Sequence, residues 1–98
     1  MGGFGIYKWP NGRIYEGEWR SGQMDGKGKI VYANGNVYEG NFKQGKKEGN
    51  GYFTWKKSGL TFQGGWKDDK MHGNGIITND EGSSRKVKYQ LGKKIEEI

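Results

Sequence analysis

Paired glycines recur through the whole chain at a nearly fixed interval. The first glycines of four Gly-x-Gly triplets are separated by 23, 23 and 24 residues, at Gly3, Gly26, Gly49 and Gly73. Aromatic residues follow the same period in three series, each at one position of the repeat. The series are Trp19, Phe42, Trp66 and Tyr89; Tyr15, Tyr38 and Phe62; and Trp9, Tyr32 and Trp55. A period of roughly 20 to 50 residues is typical of repeat architectures, so the sequence predicts a repeat protein.

The composition favours a thin structure over a thick globular core. Only 31% of the 98 residues are hydrophobic and 20 are glycine, values that alone would suggest disorder. Aromatic residues make up 14% of the chain and recur at fixed positions of the repeat, which argues against disorder. The absence of cysteine removes disulfides and thiolate zinc sites, and no apolar run reaches the roughly 18 residues of a membrane helix. We therefore expect one small folded domain in the cytoplasm.

Residue alternation within each repeat predicts β-strands. In the run Tyr15–Trp19, the residues Tyr15, Gly17 and Trp19 share one face of a strand, and the two glutamates take the other. Glycine normally weakens a strand. Its recurrence at one strand position indicates a hollow in which a neighbouring ring can lie flat.

Two kinds of turn are predicted between the strands. Asn11-Gly12 and Asn34-Gly35 are the strongest short signal for a hairpin with a type I′ turn. The corresponding loop at residues 56–59 is one residue longer. The other turn has the form Arg20-Ser21-Gly22-Gln23, and Asp69 replaces its glycine two repeats later. Aspartate tolerates the left-handed region, so it suits this turn.

The predicted fold is all-β: a single-layer, elongated antiparallel meander of stacked β-hairpins with almost no helix. About eight short strands are expected, near residues 4–9, 13–19, 28–33, 36–42, 50–56, 60–66, 74–79 and 85–91. Residues 1–98 form a single repeat domain. Its parts are a partial repeat 1–14, repeats 15–37, 38–61 and 62–84, and a degenerate terminal repeat 85–98.

The repeat unit resembles a known family. One copy reads Tyr15-Glu16-Gly17-Glu18-Trp19, Gly22, Gly26-Lys27-Gly28 and Asn34-Gly35. This pattern resembles the MORN (membrane occupation and recognition nexus) repeat, which has the form YxGxW, GxxxGxG and a later glycine. The match recurs from Tyr38 and from Phe62 and covers about residues 3–92. Phe62 in place of tyrosine, Asp69 in place of glycine and Arg85 at the start of the terminal repeat depart from the pattern.

The resemblance implies a scaffold rather than an enzyme. In proteins with such repeats, among them phosphoinositide kinases and ciliary proteins, the repeats are appendages that bind partners, self-associate or associate with phospholipid. We therefore expect no catalytic residue, cofactor or metal. Self-association through the end repeats is an open alternative.

The candidate catalytic side chains have a structural interpretation. His72 is the only histidine, and its equivalents one and two periods earlier are Glu48 and Asp25. The position is therefore simply polar, which indicates a loop residue that forms hydrogen bonds. Glu16 and Glu39 recur on the face without rings, where solvated charge is usual.

The rings suggest a site for a protein partner. We predict that Trp9, Tyr32, Phe53 and Trp55 bind a peptide or helix on the aromatic, glycine-floored face, because this column lies near the hairpin turns and is less covered than the Trp19 column. Rings with basic charge also fit single-stranded nucleic acid. That alternative is disfavoured because the rings already have a structural role.

The basic charge suggests a rival function. The net charge is +6, and Lys43, Lys46, Lys47 and Lys70 belong to one class of loop, so they are expected to line one margin of the sheet. Such a margin would attach the protein to acidic phospholipids, including phosphoinositides. Solvated charge that only maintains solubility is the plainer interpretation. Localisation is expected to be cytoplasmic, with membrane-associated or cytoskeletal and ciliary placement as alternatives.

Overall fold

The chain forms one open antiparallel β-sheet. The computed structural model describes residues 3–97, and in this range every regular element is a strand. Each strand pairs with its neighbours in sequence order. The strands are β1 Gly3–Lys8, β2 Ile14–Arg20, β3 Gln23–Val31, β4 Val37–Lys43, β5 Lys46–Thr54, β6 Thr61–Lys67, β7 Lys70–Thr78, β8 Ser84–Gln90 and β9 Lys93–Glu97. The predicted all-β single-layer meander is confirmed, with nine strands in place of about eight.

Two-residue turns connect the strands at one edge of the sheet, which we call the turn edge. Both residues of each turn have positive φ, between 46° and 88°, as a type I′ turn requires. The turns are Ser21-Gly22, Gln44-Gly45, Asp68-Asp69 and Leu91-Gly92. Asp69 adopts a φ of 69°, so the prediction that aspartate suits this turn is confirmed.

The short turns also correct the predicted strand bounds. Because only two residues leave the sheet, pairing resumes at once, and β3, β5 and β7 begin at Gln23, Lys46 and Lys70. The predicted starts at residues 28, 50 and 74 were wrong for this reason. The last turn likewise leads into β9, a strand that the sequence analysis did not include.

The hairpin turns at the opposite edge differ from the predicted type. The N–H of Gly12 donates to the Trp9 carbonyl at 3.0 Å, and Gly12 has a φ of 100°, whereas Asn11 has no positive φ. Asn11 Oδ1 instead accepts a hydrogen bond from Arg13 N at 3.0 Å. This geometry is that of a type I turn that ends in a left-handed glycine. Asn34-Gly35 shows the same side-chain bond, so the predicted type I′ turns were wrong at both sites.

A row of glycines crosses the sheet at right angles to the strands. Gly5 lies opposite Gly17, and the same register continues strand by strand to Gly75, which lies opposite Val87. The members of this glycine row are Gly5, Gly17, Gly28, Gly40, Gly51, Gly64 and Gly75. The backbone is therefore bare along one line through seven consecutive strands.

From Gly17 to Gly75, the glycine row is closed to side chains. A Cβ built on Gly40 would lie 2.5 Å from Gly51 Cα and 2.6 Å from the Asn50 carbonyl oxygen. A Cβ on Gly75 would lie 2.5 Å from Cζ of Phe62, whose ring occupies that hollow. The predicted hollows under the rings are therefore present.

Three of the four Gly-x-Gly triplets combine two requirements. The second glycine belongs to the glycine row. The first glycine, at Gly26, Gly49 and Gly73, has a φ between 87° and 94° and lies in the stretch where the strand pairing shifts register. Such β-bulges bend a strand and place an extra residue at the left-handed φ that glycine adopts at little cost.

The core occupies one face of an elongated particle. The principal extents are 42, 24 and 18 Å. Eight hydrophobic residues are buried, and no polar or charged residue in the described part of the chain is. The buried residues are Tyr15, Ile30, Tyr38, Phe42, Phe53, Phe62, Trp66 and Val87.

The substitution Gly40→Ala should destabilise the protein strongly. One added methyl group would overlap backbone on the adjacent strand, and overpacking of this kind costs about 3 kcal/mol. Such a loss would lower the melting temperature by more than about 10 °C in a chain of this size. The control is Glu39→Ala, an exposed neighbour on the same strand, which should melt like the wild type. Equal melting temperatures for both variants would contradict the role of the glycine row.

Candidate interaction surface

Seven aromatic rings form a continuous zigzag over the glycine row. Each ring meets the next edge to face, with centroids 5.0–5.8 Å apart and planes inclined by 76–90°. In order, this ring chain is Trp19, Tyr15, Phe42, Tyr38, Trp66, Phe62 and Tyr89. Each edge-to-face pair contributes about 0.5–1.5 kcal/mol beyond the area that it buries. The ring chain therefore joins successive repeats into one core.

Two phenols of the ring chain are tied to the backbone. Tyr15 donates to the Glu18 carbonyl at 2.8 Å, and Tyr38 donates to the Asn41 carbonyl at 2.9 Å. Burial, with the negative charges of Glu18 and Asp25, raises the pKa of Tyr15 to about 12. Burial raises the pKa of Tyr38 as well. Both hydroxyls are therefore structural donors rather than acids available for proton transfer near neutral pH.

Three of the four predicted partner-binding rings lie together beside the ring chain. Phe53 contacts Tyr32 and Trp55, at centroid distances of 5.9 and 4.7 Å. Phe53 itself is only 9% exposed, so the expectation that it is an exposed ring was wrong. Tyr32 and Trp55 are half-buried, whereas Phe42 and Trp66 of the neighbouring column are buried. Tyr32 and Trp55 thus form the accessible part of the group.

Trp9 lies apart from these three rings. It belongs to the first hairpin, where it contacts Tyr7 at 4.8 Å. The Arg13 guanidinium carbon lies 4.5 Å from the Trp9 ring centroid. Arg13 covers this face of the indole, so a partner would have to displace a cation to stack there.

Lys47 lies among aromatic rings and not on the basic margin to which the sequence analysis assigned it. Its Nζ donates to the Tyr32 hydroxyl at 2.7 Å and lies 5.2–5.7 Å from four ring centroids. These four rings, which we call the aromatic cage, belong to Tyr32, Tyr38, Phe53 and Trp66. An ammonium group over a ring face, within about 6 Å of the centroid, forms a cation–π interaction. Lys47 contacts Tyr32 through the hydroxyl of that ring.

The early start of β5 explains the error at Lys47. The residue is the second of the strand, not a loop residue, and its side chain packs on the face that carries the core. Met24 and Met71 occupy the same repeat position and pack against that core. Comparison of Lys47 with these methionines could have indicated a side chain directed at the rings.

The other predicted lipid-binding lysines do lie at the turn edge. Lys43, Lys46 and Lys70 are exposed, and Lys43 is paired in register with Lys46. Lys46 forms an ion pair with Asp68 at 4.0 Å, with both side chains more than half exposed. The margin is therefore basic but interrupted by acidic residues, and its binding to lipid stays a prediction.

His72 forms a hydrogen bond as the repeat predicted, but the predicted loop position was wrong, because His72 lies in β7. Its Nδ1 accepts a hydrogen bond from Leu91 N at 3.1 Å. Asp25, one of its equivalents, accepts from Gln44 N at 3.3 Å. Both side chains therefore fasten a bulge to the next turn along the turn edge.

The described part of the chain was also searched for a metal-binding cluster and for a membrane-spanning helix. Among the side chains that the structure describes, no group of three or more histidines, aspartates or glutamates is arranged to hold a metal ion. Nor does this range contain a helix that is long and apolar enough to cross a membrane.

The opposite face carries exposed apolar residues that the sequence analysis did not select. Phe4, Ile6, Tyr52 and Ile76 are between 41% and 72% exposed. Tyr52 lies between Gly51 of the glycine row and buried Phe53. Because successive side chains of a strand point to opposite faces, alternation along β5 could have predicted that Tyr52 lies on the face opposite the rings.

Comparison with known proteins identifies the repeat. A family model described as MORN repeat matches residues 1–12, 15–37, 38–59 and 62–84. No curated protein matches the chain. The matched segments cover more than half of the chain, and the last three begin at Tyr15, Tyr38 and Phe62, which all belong to the ring chain.

Replacing Tyr15 and Tyr38 by phenylalanine should reduce the loss of stability at high pH. Unfolded tyrosines ionise near a pKa of about 10, whereas folded Tyr15 remains neutral to about 12. The raised folded pKa gives stability that is fully present below pH 10 and is lost as the pH rises towards 12. Urea unfolding of the wild type and the double variant at about pH 9, 10.5 and 11.5 would measure the difference. Equal pH dependence in the two proteins would contradict it; Phe62 shows that the position accepts phenylalanine.

Proposed function

The chain belongs to the MORN repeat family, whose repeats are generally interaction modules for proteins or membranes, and from this premise we propose that it binds a segment of a partner protein. The proposed site is the ring-bearing face around Tyr32 and Trp55. The module itself is non-catalytic.

The observation that carries this proposal is the partial exposure of two rings on a rigid base. Tyr32 and Trp55 are half-buried and both contact Phe53, which is buried. Side chains already held in place lose little conformational entropy when a partner arrives. Aromatic residues of this kind are frequent anchors of binding energy.

The repeat spacing suits a polypeptide ligand. Tyr32 and Trp55 are one period apart and hence separated by two strands, roughly 10 Å across the sheet. Residues i and i+7 of a helix are also about 10 Å apart. A helix with apolar residues at that spacing, or an extended peptide of similar reach, could therefore contact both rings at once.

The membrane alternative rests on the exposed lysines at the turn edge. Lys43, Lys46 and Lys70 present their charges to solvent. Each basic residue near an anionic surface contributes about 1 kcal/mol to attachment. Asp68 neutralises part of this charge, so we rank attachment to acidic phospholipid second.

Trp55→Ala should weaken binding of a partner peptide by about 2 kcal/mol, roughly thirtyfold, because an aromatic anchor is removed. The probes are peptides recovered from a random displayed library with the wild-type protein, and titration gives each dissociation constant. Tyr52→Ala is the control, since Tyr52 is 43% exposed on the opposite face. Trp66→Ala provides the reference for lost stability. If Trp55→Ala lost as much stability as Trp66→Ala while peptide affinity did not change, the proposed site would be wrong.

Reversing Lys43, Lys46 and Lys70 to glutamate should abolish any binding to vesicles rich in anionic lipid, and co-sedimentation at low salt would measure it. Lys47 is left intact because it lies in the aromatic cage. A matched variant with glutamate at Lys27, Lys29 and Lys86, which are also exposed, carries the same change in net charge. Equal losses of vesicle binding in both variants would indicate a general effect of net charge and not specific binding by the lysines of the turn edge. Wild-type protein that fails to sediment would remove the alternative.

A further inference from the structure

We infer that the partner segment places a carboxylate side chain on the ammonium group of Lys47 in the aromatic cage. The inference rests on the proposed function, since it specifies the chemistry of the ligand for the same face. It predicts that, among segments with apolar residues, Lys47 favours those that also carry an acidic side chain.

The ammonium group has unused hydrogen-bond donors. A lysine carries three N–H donors, and Lys47 uses one of them, on the Tyr32 hydroxyl at 2.7 Å. Its other neighbours are the rings of Trp66, Tyr38 and Phe53, whose centroids lie 5.2–5.7 Å away. Ring faces attract the charge but do not replace carboxylate oxygens as acceptors.

None of the carboxylates whose side chains the structure describes pairs with the Lys47 ammonium group. Asp69, the acidic residue bonded to this part of the strand, accepts instead from the Lys47 backbone N–H at 2.8 Å. Asp68 forms an ion pair with Lys46. The positive charge in the cage therefore has no opposite charge bonded to it.

A second donor of the cage also lacks an acceptor. Trp66 is 7% exposed, and its Nε1 is covered without a hydrogen-bond partner. Trp19, at the same repeat position, donates its Nε1 to the Gly5 carbonyl at 3.1 Å. Buried donors without partners are uncommon and costly. The surroundings of Lys47 thus hold more hydrogen-bond donors than acceptors, and an acidic ligand would supply an acceptor to the Lys47 ammonium group.

Packing alone does not require a charge at this position. Met24 and Met71 fill it in the two flanking repeats and pack against the core. Lys94 occupies it in the terminal repeat, where Asn79 and Arg85 stand at the positions of Tyr32 and Tyr38. A lysine within a ring quartet is therefore particular to the central repeat, next to the proposed anchor rings.

The experiment selects binders from a random library of displayed 12-residue peptides, with the wild type, Lys47→Met and Lys29→Met as baits. Methionine is chosen because the flanking repeats already carry it, and Lys29 is an exposed lysine outside the proposed sites. We expect the wild type and Lys29→Met to enrich a motif with aspartate or glutamate beside an apolar residue. Lys47→Met should lose the acidic preference and bind the wild-type peptides at least about tenfold more weakly. Replacing the peptide aspartate by asparagine should weaken binding to the wild-type protein by a similar factor, which tests the contact without any protein variant.

The outcomes separate this inference from the proposed function. Peptides that depend on Trp55 but show no acidic preference, that favour lysine or arginine, or that bind Lys47→Met as well as the wild type would overturn the inference alone. Peptides that respond to neither Trp55→Ala nor Lys47→Met, or a library that gives no binder above background, would overturn the proposed function and the inference with it.

Discussion

The structure depends on the contact between aromatic rings and bare glycine backbone. A single sheet has no second layer to cover its apolar face, so the cover must come from the face itself. The glycine row removes every Cβ along one line, and rings such as Tyr38 and Phe62 lie in the space that remains. The ring chain lies over the glycine row, and the half-buried rings of Tyr32 and Trp55 lie beside it. A protein with less than a third of its residues hydrophobic can fold in this way because each ring covers both backbone and another ring.

The sequence was sufficient for the features that repeat. The period located the glycines and rings, and alternation placed Tyr15, Gly17 and Trp19 on one face. These predictions succeeded because backbone geometry at those positions admits few residue types. The strand starts at Gln23, Lys46 and Lys70 were missed because a two-residue turn can be closed by residues as varied as Ser21-Gly22 and Asp68-Asp69. The Asn11 turn was assigned to the wrong type because asparagine can either adopt a left-handed φ or cap a turn with its side chain.

The candidate site was harder to predict because it lies where the repeats differ. Lys47 looked like one more solvated lysine, and only its position opposite the rings, occupied by methionine in adjacent repeats, shows where it packs. Phe53 was grouped with Trp55 because both lie near the hairpin turn, yet two residues on one face of the sheet can differ in how far neighbouring rings cover them. The exposure of a side chain depends on the particular residues around it, and the period does not reveal how these differ between repeats.

The sequential strand order bears on how the chain folds. Strands that are consecutive in sequence are paired throughout the sheet from β1 to β9, so pairing never waits for a distant segment. Sheets usually fold slowly because their contacts join residues far apart in sequence. Here the loop to be closed before each pairing is a short turn, and a hairpin can form as soon as its two strands exist. Assembly can therefore proceed hairpin by hairpin while the chain is still emerging from the ribosome.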